Sequence, residues 1–163
     1  MSMFIQNLDV TAFLQQQAKD VFQTMAALDV QPVQPNPSRD GLNGQERITG
    51  IVGLGGDQVT GAVYLHLPLP LAEQVTRQLL GLEGAEAVDE AAVNDVTGEL
   101  TNMLAGGFKS ALCDRGLVCA VSTPTIIRGT AYEIERIPDV QRASVPLSAG
   151  THPLLVEAHL KLG

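Results

Sequence analysis

Asp95, Glu99 and Asn102 stand at a spacing that sets two acids and an amide on one side of a helix. At about 100° per residue they fall within roughly 60° of one another, opposite the apolar residues Val93, Val96, Leu100, Met103, Leu104, Phe108 and Leu112. Asp95 and Glu99 are like charges four apart, a pairing that costs about 0.2–0.5 kcal/mol, and no cation occupies a position three or four residues from Glu99. The counter-charge of Glu99 has to come from elsewhere. Asn102 carries a carboxamide, which accepts and donates hydrogen bonds at once and can therefore hold a water molecule in one orientation. An oriented water is enough to speed a reaction whose substrate is already labile, without a base, nucleophile or metal beside it.

The glycines around this row point the same way. Gly98, Gly106 and Gly107 each cost about 1 kcal/mol relative to Ala inside a helix, and Gly106 lies on the same face one turn after Asn102. Helical glycines of this kind let another backbone come close.

Other chemistries find no foothold. The chain has no GxSxG, HExxH or P-loop, and GLGGDQ at 53–58 does not match GxGxxG and opens no helix, so it reads as a turn. His66, His152 and His159 stand isolated in strand-like runs with no second ligand at workable spacing and read as structural or surface histidines. Cys113 and Cys119 make no CxxC and read as free, partly buried thiols of a reducing compartment. Ten basic against eighteen acidic residues leave a net charge of −8, which repels nucleic acid. The opening MSMFIQNLDV shows neither a basic nor an apolar leader pattern, and no run has the length of a membrane span, so the cytoplasm is the expected location.

The row needs a scaffold, and periodicity supplies one. Helices are predicted over 9–28, with Asn7 or Asp9 as N-cap, over 71–80 with Gly81 as stop, and over 89–115 with Gly116 beyond its end. The prolines of 31–37 make 31–44 a loop. Alternation over 48–54 and 59–67 around Gly55, Gly56 and Asp57 predicts a β-hairpin. Further strands are predicted at 117–121, 125–127, 143–147 and 154–162, with 132–139 open between strand and loop. At 163 residues and 45% hydrophobic the chain fits one domain, 1–163, with its core at 47–162. Hairpin-joined strands grouped apart from helices imply an α+β fold with a largely antiparallel sheet covered by helices.

Asp95-x-x-x-Glu99-x-x-Asn102 in an amphipathic helix, followed by Pro124 after a strand-like segment, resembles the signature of the CheC/CheX/FliY group of chemotaxis phosphatases. The stretch 67–81 is similar to the helix that precedes the signature helix there, and Thr76 stands where a second motif would need Asn, as in a single-motif CheX-like member. The resemblance implies a CheX/CheC-like fold and, as substrate, the aspartyl phosphate of a response regulator such as phospho-CheY. Asn102 would hold the attacking water, Glu99 would pair with the regulator's lysine, and Mg2+ would sit on the regulator, with no cofactor bound by this chain. Asp95, Gly106 and Lys109 would be partner contacts, Pro124 would shape the strand end beside the motif, and the working unit would be a homodimer. The alternative is a domain of the same fold that binds a regulator or motor component without hydrolysing anything.

Overall fold

The computed structural model describes residues 3–34, 42, 44–83, 86–134 and 137–163. The chain opens on a short hairpin, β1 (Phe4–Ile5) against β2 (Leu8–Asp9), that sequence periodicity does not announce. It hands over Asp9 as the N-cap of α1 (Val10–Ala26), whose Ala12 N–H donates to the Asp9 carboxylate at 3.0 Å. Val10, Leu14, Ala18, Val21 and Phe22 form the buried stripe of α1. Two residues of the expected loop 31–44 pair instead as β3 (Gln31–Pro32) with the strand at 141–149; residues 35–41 and 43 of that loop lie outside the described residues.

The predicted hairpin forms as β4 (Arg47–Gly55) and β5 (Val59–Pro68), in register from Arg47 opposite Pro68 to Gly55 opposite Thr60. It leads directly into α2 (Leu69–Leu80), which ends at Gly81 in the left-handed region at φ 67°. The long helix is α3 (Glu90–Cys113), with Asp89 as N-cap accepting from Ala91 N–H.

Beyond it come β6 (Ala120–Val121), β7 (Thr125–Gly129), β8 (Gln141–Ala149) and β9 (His152–Leu162). The run expected at 117–121 is strand only at its end. Val118 carbonyl and Cys119 press on Gly56 where a side chain would otherwise stand, so that stretch crosses the hairpin turn instead of joining the ladder. The open stretch 132–139 contains no strand among its described residues.

The main sheet runs β3-β8-β9-β5-β4, and β6 and β7 follow one another along the outer edge of β4; every described pairing is antiparallel. Register sorts its two faces. Gly50 faces Thr101 of α3, so its cross-strand partner Leu65, then Val156 and Val145, share the helix side, as do Ile48, Val52, Val63, Ala158 and Leu160. Together with the inward stripes of α1, α2 and α3 they make one apolar core. The fold is α+β, an antiparallel sheet covered by helices.

The opposite face carries a buried polar network. Glu157, 2% exposed, accepts from His66 Nε2 at 2.9 Å, from Arg142 Nε at 2.9 Å and from Ser144 Oγ at 3.3 Å, and His159 Nε2 lies 3.9 Å away. His66 Nδ1 is 2.8 Å from the Thr49 hydroxyl, which also meets the Tyr132 hydroxyl, while Arg47 lies over the Tyr132 ring and donates to its carbonyl. Two of the histidines that stand apart in sequence are thus joined in space by one carboxylate, and His152 is half-buried outside this network. Among the described residues no three His, Cys, Asp or Glu side chains group so as to hold a metal ion. Cys113 and Cys119 are both free thiols, Cys119 buried.

Candidate functional site

The position of the polar row is set by what lies beneath it. Thr97 and Thr101 turn inward and donate their hydroxyls to the carbonyls of Val93 and Thr97, at 2.8 and 2.7 Å, which satisfies them in an apolar setting. Thr101 then fits against β4 only because Gly50 has no side chain at that point. The buried face of α3 is therefore broader than its apolar stripe, taking in Thr97, Gly98 and Thr101, whereas Val96 and Met103 are only partly buried.

Gly98 fixes the other wall. A Cβ there would stand 3.2 Å from Pro124 Cγ and 3.9 Å from Ile126 Cδ1, so the start of β7 rides close against the helix. Pro124 cannot donate to a ladder, and the edge breaks between β6 and β7 at this point. Ser122 bridges the break: its hydroxyl accepts from Gly53 N–H at 2.8 Å and its own N–H donates to the Gly53 carbonyl at 2.9 Å.

Helix ridge and strand start together enclose an open depression of about 400 Å³, lined by Asn94, Asp95, Gly98, Glu99, Asn102, Pro124 and Ile126. Asp95 and Glu99 are exposed and Asn102 is half-buried. Among the described residues none of the three side chains takes part in a hydrogen bond or ion pair. Two acids and an amide thus face solvent with their bonding capacity unspent. Among the described residues no histidine, cysteine or serine lines the depression, so it offers carboxylates and amides but no imidazole, thiol or serine hydroxyl. What the arrangement offers is an acceptor for a cation and an amide for a water or an oxygen, both brought by another molecule.

The remaining residues singled out in the sequence lie apart from this depression. Gly106 is half-buried, and a Cβ added there would meet nothing within 4 Å, so no described residue of this chain makes the close approach its type implies. Gly107, like Gly98, admits a neighbour, in its case the Gln17 amide of α1. Lys109 is half-buried and has no hydrogen bond or ion pair among the described residues. Three residues of the region escape sequence reasoning: Asn94, Ile126 and Arg128. Arg128 Nε donates to Asn94 Oδ1 at 2.9 Å, and its NH2 donates to the Glu90 carbonyl at 3.2 Å. Asn94 is displaced by 80° from Asn102 around the helix at about 100° per residue, and its link to a strand more than thirty positions later leaves no periodic signal.

Comparison with known proteins gives the family of the chain. No curated protein matches the sequence. A CheC-like superfamily protein from Shewanella sp. PV-4 is 28% identical, with 98% of this chain and 99% of that one covered and a TM-score of 0.79. The chemotaxis protein CheX from Vibrio vulnificus shares the fold at 23% identity, a TM-score of 0.79, and coverage of 98% and 100%. A structure of CheX from Borrelia burgdorferi in a CheX-CheY-BeF3-Mg+2 complex also shares it, at 22% identity and a TM-score of 0.71, with 92% and 96% covered. The model of the chemotaxis phosphatase CheX matches residues 48–148, more than half the chain and all of the ridge just described, and the chain belongs to that family.

Proposed function

We propose that this protein hydrolyses the aspartyl phosphate of a CheY-like response regulator in the cytoplasm, with Asn102 orienting the attacking water. The observation that carries this reading is Glu99 and Asn102 side by side on a solvent-facing ridge, neither with a partner among the described residues of its own chain. Family membership and the relative solved with CheY support it.

In this reading the ridge enters the regulator's site, where Glu99 pairs with a lysine beside the phosphoryl group and Mg2+ belongs to the regulator. The Asn102 amide holds a water in line with the bond that breaks. The water oxygen adds to phosphorus, the bond from phosphorus to the aspartyl oxygen breaks, and the carboxylate leaves while the proton passes to inorganic phosphate. Asp95 serves as a supporting contact, Gly106 leaves room for a loop of the regulator, and Lys109 meets acidic surface beside it.

The test follows phospho-regulator decay with the wild type and Asn102→Ala side by side. Loss of a water-orienting group is expected to remove about 100-fold or more of the acceleration while leaving thermal unfolding unchanged. Equal decay with and without the wild type overturns the reading, and stable binding with unaltered phosphate lifetime would leave a non-catalytic regulator-binding domain. The working unit in this proposal is a homodimer of the 17.2 kDa chain; light scattering is expected to show twice that mass, and a monomer at working concentration removes this part.

A further inference from the structure

Arg128 makes an unexpected choice of partner. It projects from β7 on the helix side of the sheet, opposite Ile48, beside a helix that carries the unpaired carboxylates of Asp95 and Glu99. A guanidinium gains most from a carboxylate. Its hydrogen bonds instead go to the neutral side chain of Asn94 and to the Glu90 carbonyl, a fork that clamps it to the first turns of α3 and leaves both acids free.

This clamp decides which way the Asn94 amide points. Only the carbonyl end of a carboxamide can accept from Arg128 Nε, so Oδ1 is turned to the strand and the NH2 end is turned away from it. Asn94 lines the same depression as Glu99 and Asn102, and its NH2 has no acceptor among the described residues. The ridge therefore offers two amides, one at its centre and one at its edge, and the edge amide is held in one orientation by a cation that does not itself face the depression's lining.

We infer that Asn94 is a further partner-binding residue, donating its NH2 to a carbonyl or carboxylate oxygen of the regulator, and that Arg128 is the positioning residue that aims it. This rests on the reading given under the proposed function. Asn94 touches the partner and not the reacting atoms, so it governs how tightly the regulator is held and leaves the hydrolytic step to Asn102.

The substitution that separates this role from a structural one is Asn94→Asp. It keeps the bond from Arg128 and turns it into an ion pair, so the fold retains its stability, but it replaces the two donors by an acceptor. The experiment measures initial rates of dephosphorylation against concentration of a phosphorylated CheY-like regulator. In parallel it measures affinity for the same regulator with beryllofluoride, a stand-in for the phosphoryl group. The expected result for Asn94→Asp is KM and Kd raised about tenfold, the equivalent of one interfacial hydrogen bond, with kcat and melting temperature unchanged. Asn94→Ala is expected to raise both constants in the same direction, and Arg128→Ala to raise them by a smaller factor, because the amide is then present but no longer aimed. Wild-type constants in both Asn94 variants overturn the inference. So does a rise confined to Asn94→Asp, which would mark charge repulsion and not a lost donor. If the wild type binds without hydrolysing, the proposed hydrolysis falls and Asn94 is still read from Kd; if it neither binds nor hydrolyses, both fall.

Discussion

Glu157 and Glu99 are the same side chain treated in opposite ways. Glu157 sits on the sheet face away from the helices, 2% exposed, and receives hydrogen bonds from His66, Arg142 and Ser144, with His159 within 3.9 Å. Burial alone would push its carboxyl up; the imidazoles of His159 and His66 and the Arg142 guanidinium outweigh that and hold it well below the usual carboxylate range. The same burial, reinforced by the nearby Glu157 carboxylate, pushes the Tyr64 hydroxyl up. Glu99 is exposed, one turn from another acid, and has no bond of this kind among the described residues. This chain builds a full set of partners around an acid that its fold encloses. Glu99, bare among the described residues, stands on the ridge next to an equally unpartnered amide, and that contrast is what the proposed pairing with a cation of another protein rests on.

The comparison breaks most visibly at its buried end. Glu157→Ala strands the His66 Nε2 donor in a buried site and is expected to cost about 3 kcal/mol, at the low end for a broken buried pair because Arg142 is partly solvated. Urea unfolding checks this, and a loss under about 1 kcal/mol would mean that the network is ornamental. Acid sharpens the same point. A carboxyl whose folded value is depressed contributes stability that is complete above its unfolded value, near pH 4.3, and is lost as pH falls toward the folded one. The wild type's margin over Glu157→Gln is therefore expected to shrink progressively as the pH falls below about 4. A margin unchanged between pH 7 and pH 3 would show that Glu157 is not held as its surroundings imply.

The two acids were also unequally legible in the sequence. Glu99 announces itself because helical period, like-charge spacing and the amide at Asn102 are all local, within eight positions of one another. Glu157 lies in an apolar run that reads simply as strand, and its partners come from β5 and β8, so only the register of the sheet brings them together. The same rule divides the rest of the molecule. The hairpin of β4 and β5 and the three helices follow from period and caps. The two-residue strands β1, β2 and β3 are too short to carry a period, and β6 is cut down by the packing of Val118 and Cys119 on Gly56. At the site, the Asp95, Glu99 and Asn102 row was readable, while Gly98 was legible as a glycine but not as the seat of Pro124. Thr97 and Thr101 were hidden because their hydroxyls are satisfied by their own helix, which lets polar residues take core positions.

The exposed end of the comparison gives a smaller and more selective effect. Glu99→Gln keeps the size of the side chain and removes only its charge. Since Glu99 makes no bond to the described part of its own fold and stands near Asp95, stability is expected to stay within about 0.5 kcal/mol of wild type, shifted if at all toward greater stability. Association with the phospho-regulator is expected to weaken by about tenfold through loss of a charge-assisted contact with the regulator's lysine, more strongly at low salt than at high. Thermal unfolding and regulator affinity measured on the same preparation decide the matter. If Glu99→Gln lowers the melting temperature as Glu157→Gln does, then Glu99 has a partner within the chain after all, and the contrast between the two acids is one of degree. If it leaves both stability and affinity untouched, the bare acid is ordinary helix surface, and Asn102 would have to hold its water without a neighbouring charge to anchor the regulator.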